Sequence, residues 1–209
     1  MIPVKVLAVR CLDNASAELA RELGAPEGHR CFAMLTTDCD DATYIALDGA
    51  TKAAEVEVCY GRSFYAGAGN ASMPNTGEVI GILAAKTPAD ARAGLETAMA
   101  ILKRVGFQDA AGVAYLAQTV ASTGSFLSKE AGVPVGSALA YLIAPPLEAM
   151  YGLDRAMKAA DVKLCKLYTP PTETNFAGAL LTGTQSACEA ACGAFSAAVT
   201  EAAIEPMKW

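Results

Sequence analysis

Four carboxylates supply the best candidate chemistry in this chain. Three of them, Asp38, Asp40 and Asp41, follow one apolar segment, and the fourth, Glu78, begins another. Carboxylates that converge on one spot can hold a protonated amine by charge and hydrogen bonding, and an aromatic ring such as Phe107 can add a cation–π contact. Helix capping is the simpler interpretation, because Asp40 or Asp41 at a helix start stabilises the first turn. These residues alone leave both interpretations open.

No residues have the spacing of a catalytic centre. The only histidine, His29, lies far along the chain from Cys188, which is the one cysteine worth considering as a nucleophile. The sequence contains no Gly-x-Ser-x-Gly elbow, no GxxxxGK[ST] loop and no GxGxxG fingerprint. We therefore expect a protein that is not an enzyme and that needs no cofactor.

The seven cysteines predict reduced thiols rather than a disulfide framework. Their number is odd, no CxxC pair occurs, and most of them lie within apolar segments. Cys188 and Cys192 are four residues apart, which places them on one face of a predicted helix. A thiolate metal site would need further cysteine or histidine ligands near them, so we predict no metal.

Charge and hydropathy exclude two classes of partner. The formal net charge is −6, whereas nucleic-acid binding calls for a basic surface. No apolar run approaches the roughly 20 residues of a membrane helix, and the segment 1–14 reads as a first strand rather than a signal peptide. We expect a cytoplasmic protein without nucleic-acid or membrane partners.

One segment of the chain is written almost twice, which sets the domain organisation. Residues 47–59 and 153–165 are identical at eight of thirteen positions, at a constant spacing of 106. A chain of 209 residues has room for two domains of about 100 residues each. The repeat therefore predicts two similar domains, 1–106 and 107–209, and suggests a pseudo-symmetric assembly.

Hydrophobic periodicity and turn residues predict the same order of elements in both halves, and hence an α/β fold of ferredoxin-like (α+β) type. The first half is predicted to contain strands at 4–9, 31–37, from 56 and at 78–84, with helices at 15–23, from about 40 to 53 and at 88–103. The second half is predicted to contain strands at 113–120, 138–144, 162–167 and 177–181, with helices at 126–131, 147–160 and 186–203. Late in the repeat the spacing falls from 106 to 98, so the Gly-rich connection at 61–77 is about eight residues longer than its counterpart. A connection that diverges within a retained scaffold is a common place for function.

Several motifs resemble one family. The helix-to-strand segment 47–58, with its Lys-Ala-Ala-x-Val ending, is similar to the signature of bacterial microcompartment shell domains, and its second copy points to the tandem-domain class. Five further segments resemble the shell proteins of ethanolamine utilisation: Asp40-Asp41-Ala42-Thr43-Tyr44, Tyr60-Gly61-Arg62-Ser63-Phe64-Tyr65-Ala66-Gly67-Ala68, Ala144-Pro145-Pro146-Leu147-Glu148-Ala149, Pro170-Pro171-Thr172-Glu173-Thr174-Asn175 and Leu181-Thr182-Gly183-Thr184-Gln185-Ser186-Ala187-Cys188. The resemblance covers nearly the whole chain.

This resemblance implies a structural shell protein built from two circularly permuted microcompartment domains. Such chains form homotrimers with a pseudohexameric outline, which meet other shell proteins edge to edge. The lysine of the Lys-Ala-Ala element lies at tile edges in the family, and it corresponds here to Lys52 and Lys158. An ammonium with three donors can bond backbone carbonyls across such an edge, although two solvated helix lysines are the simpler interpretation.

The resemblance also implies two pores. A gated central pore would be lined by residues of two loops after equivalent strands: Arg62, Phe64, Tyr65, Gly67, Asn70, Thr174, Asn175 and Phe176. A small pore within each subunit would bind an amine such as ethanolamine through Asp40, Asp41, Glu78 and Phe107. An ordinary surface loop is the alternative for the gate. A tandem α/β regulatory protein that senses an amine without building a shell is the alternative for the whole chain.

Overall fold

The computed structural model describes residues 1–65, 77–170 and 172–208, with backbone only at Tyr65 and Gly77. These residues form two compact units. The N-terminal unit comprises Pro3–Gly106 together with Gly124–Leu127, and the C-terminal unit comprises Met1–Ile2, Phe107–Thr123 and Ser128–Trp209. Each unit contains one sheet with helices packed on it, so the predicted mixed α/β architecture is confirmed.

The N-terminal unit is built on a four-stranded antiparallel sheet in the order β1-β2-β4-β3. Its elements are β1 (Val6–Leu12), α1 (Ala17–Glu22), β2 (Cys31–Thr37), α2 (Asp40–Ala53), β3 (Val56–Tyr65), β4 (Gly77–Ala85) and α3 (Pro88–Leu102). Helices α2 and α3 pack together and on the sheet. Close packing depends on small residues: a Cβ on Gly81 would lie 2.7 Å from the side chain of Leu47. A smaller cluster that includes Phe32 and Ile82 buries Ala20 of α1, whose other residues are exposed.

The C-terminal unit has a five-stranded antiparallel sheet in the order β5-β6-β7-β9-β8. Its elements are β5 (Gln108–Ala110), β6 (Val113–Val120), β7 (Ala138–Ala144), α5 (Pro146–Ala159), β8 (Val162–Tyr168), β9 (Ala177–Gly183) and α6 (Gln185–Ile204), and α4 (Ser125–Ala131) has its first turn, up to Leu127, in the N-terminal unit. All seven residues of β7 are buried, as expected of a strand covered on both faces.

Helix α6 is the core helix of the C-terminal unit. Cys188, Phe195 and Val199 are fully buried on its inner side and belong to one cluster with β7, β9 and α5. By length and composition α6 could also cross a membrane, and it is the one such helix in the described part of the chain. A core helix passes the same test, and α6 packs a buried stripe against its unit.

The two copies of the repeat share backbone features as well as amino-acid sequence. Helices α2 and α5 both end at an extended alanine, Ala54 and Ala160, whose carbonyl accepts from the N–H two residues later at 2.8 and 2.9 Å. Strands β3 and β8 then shift register at Cys59 and at Cys165, which are 106 residues apart. A bulge kinks a strand and increases its twist, so the two copies keep the same local bend.

Three features differ from the sequence predictions. Strand β3 runs to Tyr65, so Arg62 and Phe64 are strand residues rather than loop residues, because they pair with Ile80 and Glu78 of β4. The N-cap of α2 is Cys39, and no side chain caps it. The strand β5 was not predicted, because a segment of three residues is too short to show an alternating hydrophobic pattern.

Candidate functional site

The turn from β2 into α2 positions the acidic residues. The backbone N–H of Lys5 donates to Oδ1 of Asp38 at 2.8 Å, and the N–H of Asp38 donates to the Lys5 carbonyl at 3.1 Å. Thr37 and Thr43 fix the other side of the turn, since their hydroxyls lie 2.7 Å apart and each donates to the carbonyl of Cys39. Asp38 is thus a structural residue that ties β1 to this turn.

Asp40 and Asp41 form the first turn of α2 and are largely buried, with 8% and 7% of their surfaces exposed. The N–H of Asp41 donates to Oδ1 of Asp40 at 2.9 Å. Burial first, and then the charge of Asp41 with smaller effects from Asp40 and Asp38, raises the pKa of the Cys39 thiol well above its ordinary value. The N-terminus of α2 is therefore a compact, water-poor region of negative charge.

Glu78 lies in register beside this turn. Thr37 at the end of β2 pairs with Val79 of β4, so Glu78 comes level with the point where the chain leaves the sheet. Only 8% of Glu78 is exposed. Three carboxylates that are held in or near one buried turn suit a cation that brings its own hydrogen-bond donors, such as a primary ammonium.

Phe107, which was predicted to join this acidic group, belongs to the C-terminal unit. It is 6% exposed, and its ring stacks on that of Phe176 with 5.7 Å between centroids and 30° between planes. Its carbonyl accepts from the N–H of Ile2 at 2.6 Å. The sequence assigned Phe107 to the amine site and Phe176 to the gate, and the structure pairs these two rings.

The predicted gate residues fall into three groups. Arg62 and Phe64 are exposed near the end of β3, where 39% of Phe64 is accessible, and Tyr65 is the last residue of that strand. Thr174 and Asn175 form a turn before β9, closed by the Thr172 hydroxyl, which donates to the Phe176 carbonyl at 2.8 Å. Asn175 adopts a φ of 61°, which asparagine tolerates better than most residues. Gly67 and Asn70 lie outside the described residues.

The two repeat lysines occupy matching positions in unlike surroundings. Each pairs with the aspartate four residues earlier: Lys52 Nζ lies 3.7 Å from Asp48, and Lys158 Nζ lies 2.7 Å from Asp154. The Lys52 side chain is 38% exposed and that of Asp48 is not exposed at all. The Lys158 and Asp154 side chains are 73% and 53% exposed.

Asp48 has a role that the sequence analysis missed. Its two carboxylate oxygens accept from the backbone N–H groups of Gly124 and Leu127 at 2.7 and 2.8 Å. Thr51 supports it by accepting from the N–H of Ser125 at 3.1 Å. These are first-turn donors of α4, which a helix start otherwise leaves unpaired. The retention of this aspartate in the repeat was a signal, but only the fold shows its partners.

A second missed feature is a cavity of about 800 Å³ along α5 and the end of α6. Glu201 accepts from Tyr151 at 3.1 Å and pairs with Arg155 and Lys208. The hydrogen bond from Lys208, followed by that from Tyr151, lowers the pKa of Glu201. The described ranges contain no group of three or more His, Cys, Asp or Glu side chains placed to hold a metal ion.

Comparison with known proteins identifies the family. The chain is 56% identical over 211 aligned residues to the bacterial microcompartment shell protein EutL of Clostridium perfringens, covering 99% of this chain and 97% of that protein. The crystal structure of the ethanolamine utilization protein EutL from Leptotrichia buccalis superposes with a TM-score of 0.94 at 53% identity, covering 100% of this chain and 98% of that one.

A more distant likeness bears on the fold alone. The trimeric microcompartment shell protein PduB matches with a TM-score of 0.82 at 18% identity, covering 96% of this chain and 89% of that one. A scan against protein-family models found no match. The predicted fold of two tandem, circularly permuted microcompartment domains is confirmed by these structures, and the resemblance drawn from the motifs is confirmed by the relatives. The chain belongs to the EutL family of bacterial microcompartment shell proteins.

Proposed function

We propose that this shell protein forms a homotrimeric, pseudohexameric tile with a gated central pore, serving a compartment that handles ethanolamine. The observation that carries the proposal is 56% identity over 99% of the chain to a protein named as a microcompartment shell protein. The two domains of the tile would be residues 1–106 and 107–209. Each would contribute one lysine-bearing edge, and neither would contribute catalysis.

Sheet formation tests the tile. Purified protein should form extended flat sheets visible by electron microscopy, and replacing Lys52 and Lys158 together by alanine should abolish the sheets while the protein stays folded. Lys103→Ala, a lysine outside the repeat, serves as the matched control. Sheets formed normally by the double variant would remove the lysines from assembly. A wild-type protein that binds an amine but never forms sheets would favour the regulatory alternative.

An amine such as ethanolamine would bind at Asp40, Asp41 and Glu78. The support is the burial of the three carboxylates, their position around one turn, and the charge preference of buried carboxylates for a hydrogen-bonded cation. Phe107 stays a predicted residue of this site. The ammonium would meet acceptors only, so a neutral alcohol of the same size should bind far more weakly.

Calorimetry tests this site. Ethanolamine should bind the wild type, and Asp40→Asn should weaken binding at least tenfold, because losing a charge from a buried ion pair costs about 2–5 kcal/mol. Asp154→Asn removes an exposed carboxylate and should leave the affinity unchanged. Equal affinity of the wild type and Asp40→Asn, or no heat with either, would refute the site.

The gate would be formed by the segment between β3 and β4 and by the turn at Thr174 and Asn175. The support is that β3 and β8 are equivalent strands and that the first connection is the longer. Deleting residues 67–74 should leave the central channel open in a crystal structure of the variant. A channel that stays closed in the deletion variant would count against this gate.

A further inference from the structure

We propose that the two lysine-bearing edges are not equivalent, and that Lys158 rather than Lys52 makes the dominant contact with a neighbouring copy of the tile. The inference rests on the proposed tiling and deepens it. Its basis is the contrast between the two aspartates that hold these lysines. Asp48 is fully buried, whereas Asp154 is half exposed, although the two occupy the same position of the repeat.

Lys52 pairs with a carboxylate that is buried in the protein. Its ammonium lies 3.7 Å from a carboxylate with no exposed surface, and that carboxylate already accepts from Gly124 and Leu127. If Lys52 turned outward to meet a neighbour, the buried charge of Asp48 would lose this cationic contact at a place where water cannot replace it. The lysine would have to give up one favourable contact in order to make another.

Lys158 carries no such constraint. Its pair with Asp154 lies at the surface, where ion pairs contribute little and water readily replaces either partner. The side chain is 73% exposed, about twice the exposure of Lys52. An incoming backbone carbonyl of a second tile can therefore replace Asp154 at little cost, and the lysine can offer up to three donors to the neighbour.

The consequence is a tile whose edges differ in strength. In a trimer of two-domain chains, edges bearing Lys52 and Lys158 would alternate around the rim. The Lys158 edge would hold the sheet together, and the Lys52 edge would accept neighbours less strongly. Duplication would thus have kept the lysine in both copies while Asp48 was recruited to cap α4 in only one of them.

Single variants test this inference. Lys158→Ala should raise the protein concentration needed for sheet formation at least tenfold, as measured by sedimentation and electron microscopy, whereas Lys52→Ala should change it less than threefold. Asp154→Ala frees Lys158 and should leave that concentration unchanged or lower it. Melting curves of each variant show whether any loss is one of folding.

The outcomes separate the inference from the function on which it rests. Equal losses in the two single variants, or a larger loss in Lys52→Ala, would overturn the inequality while preserving the lysine tile. Normal sheets from both single variants and from the double variant would overturn both. Loss in Lys158→Ala alone, with an unchanged melting temperature, supports the inference.

Discussion

At the scale of single residues, buried carboxylates divide into structural and binding candidates. Asp38 and Asp48 have structural roles, because their carboxylates accept hydrogen bonds from backbone N–H groups. Asp38 accepts from one such group and Asp48 from two. Asp40, Asp41 and Glu78 lie close by in the same unit, and all three are largely buried. An acidic residue is therefore interpretable only once its hydrogen bonds are counted.

Asp48→Ala should destabilise the protein strongly. The change leaves two buried N–H donors of α4 unpaired and opens a small cavity, which together cost about 2–4 kcal/mol. The measurement is the midpoint of urea or thermal unfolding. Asp154→Ala, the matching change in the second copy, should shift the free energy of unfolding by less than about 0.5 kcal/mol because its ion pair is exposed. Similar effects of the two changes would contradict the capping role.

The raised pKa values of two cysteine thiols lead us to expect a loss of stability at alkaline pH. Burial raises the pKa of Cys59 and of Cys192 from 9.0 to about 11. Between pH 9 and 11 the unfolded chain loses these protons while the folded chain keeps them, so the stabilising effect is complete below pH 9 and disappears as pH rises through 11. Unfolding followed over this range should show the decline, and replacing both cysteines by alanine should make it shallower, because Cys39, whose pKa is also raised, remains. An equally steep decline in that variant would assign it to other groups.

At the scale of elements, the repeated helix, bulge and strand show how duplication acts on a fold. Helices α2 and α5 end in the same way and lead into strands that bulge at Cys59 and Cys165. Packing explains why both copies keep these features. The small residues on each helix let it lie close to the sheet and to the neighbouring helix, so a larger side chain there would disturb the packing. The ends of the strands are free of that constraint, and the copies diverge there.

Glycine positions on α5 and α6 should respond in opposite directions. A Cβ on Gly152 would lie 2.7 Å from the ring of Phe195, which is fully buried, so Gly152→Ala should cost about 1–3 kcal/mol through overpacking. Gly193 is exposed within α6 and has nothing within 4 Å of such an atom, so Gly193→Ala should stabilise by up to about 1 kcal/mol. Thermal unfolding of the two variants checks the pair. A neutral Gly152→Ala would mean that Phe195 can move aside.

At the scale of the whole molecule, the family and the duplication point to assembly rather than chemistry. A chain of 21.5 kDa with net charge −6 and two similar domains is suited to a closed ring of few subunits, in which each domain fills an equivalent place. A flat tile needs edges that recognise copies of themselves. The two lysines are the proposed candidates for that recognition, and their different surroundings would make the two edges unequal in strength.

Sedimentation at micromolar concentration should give a single species of three times the 21.5 kDa chain mass. The interfaces within a trimer would be larger and more apolar than the lysine contacts between tiles, so dilution should disperse sheets before it dissociates trimers. Light scattering across a dilution series measures both transitions. A monomer, or sheets that persist at concentrations where trimers dissociate, would contradict this hierarchy.

The sequence by itself determined the family, the duplication, most element positions and the type of fold. Strands such as β2, β6 and β7 were predicted to the residue, because alternating or continuous apolar runs end at clear turn residues. The sequence could not determine which carboxylate accepts hydrogen bonds from backbone N–H groups. Asp48 and Asp154 are both aspartates at the same position of the repeat. Asp48 is buried and caps α4, whereas Asp154 is a charged residue at the surface. That difference arises from segments 76 residues apart in the chain, which only the tertiary structure brings together.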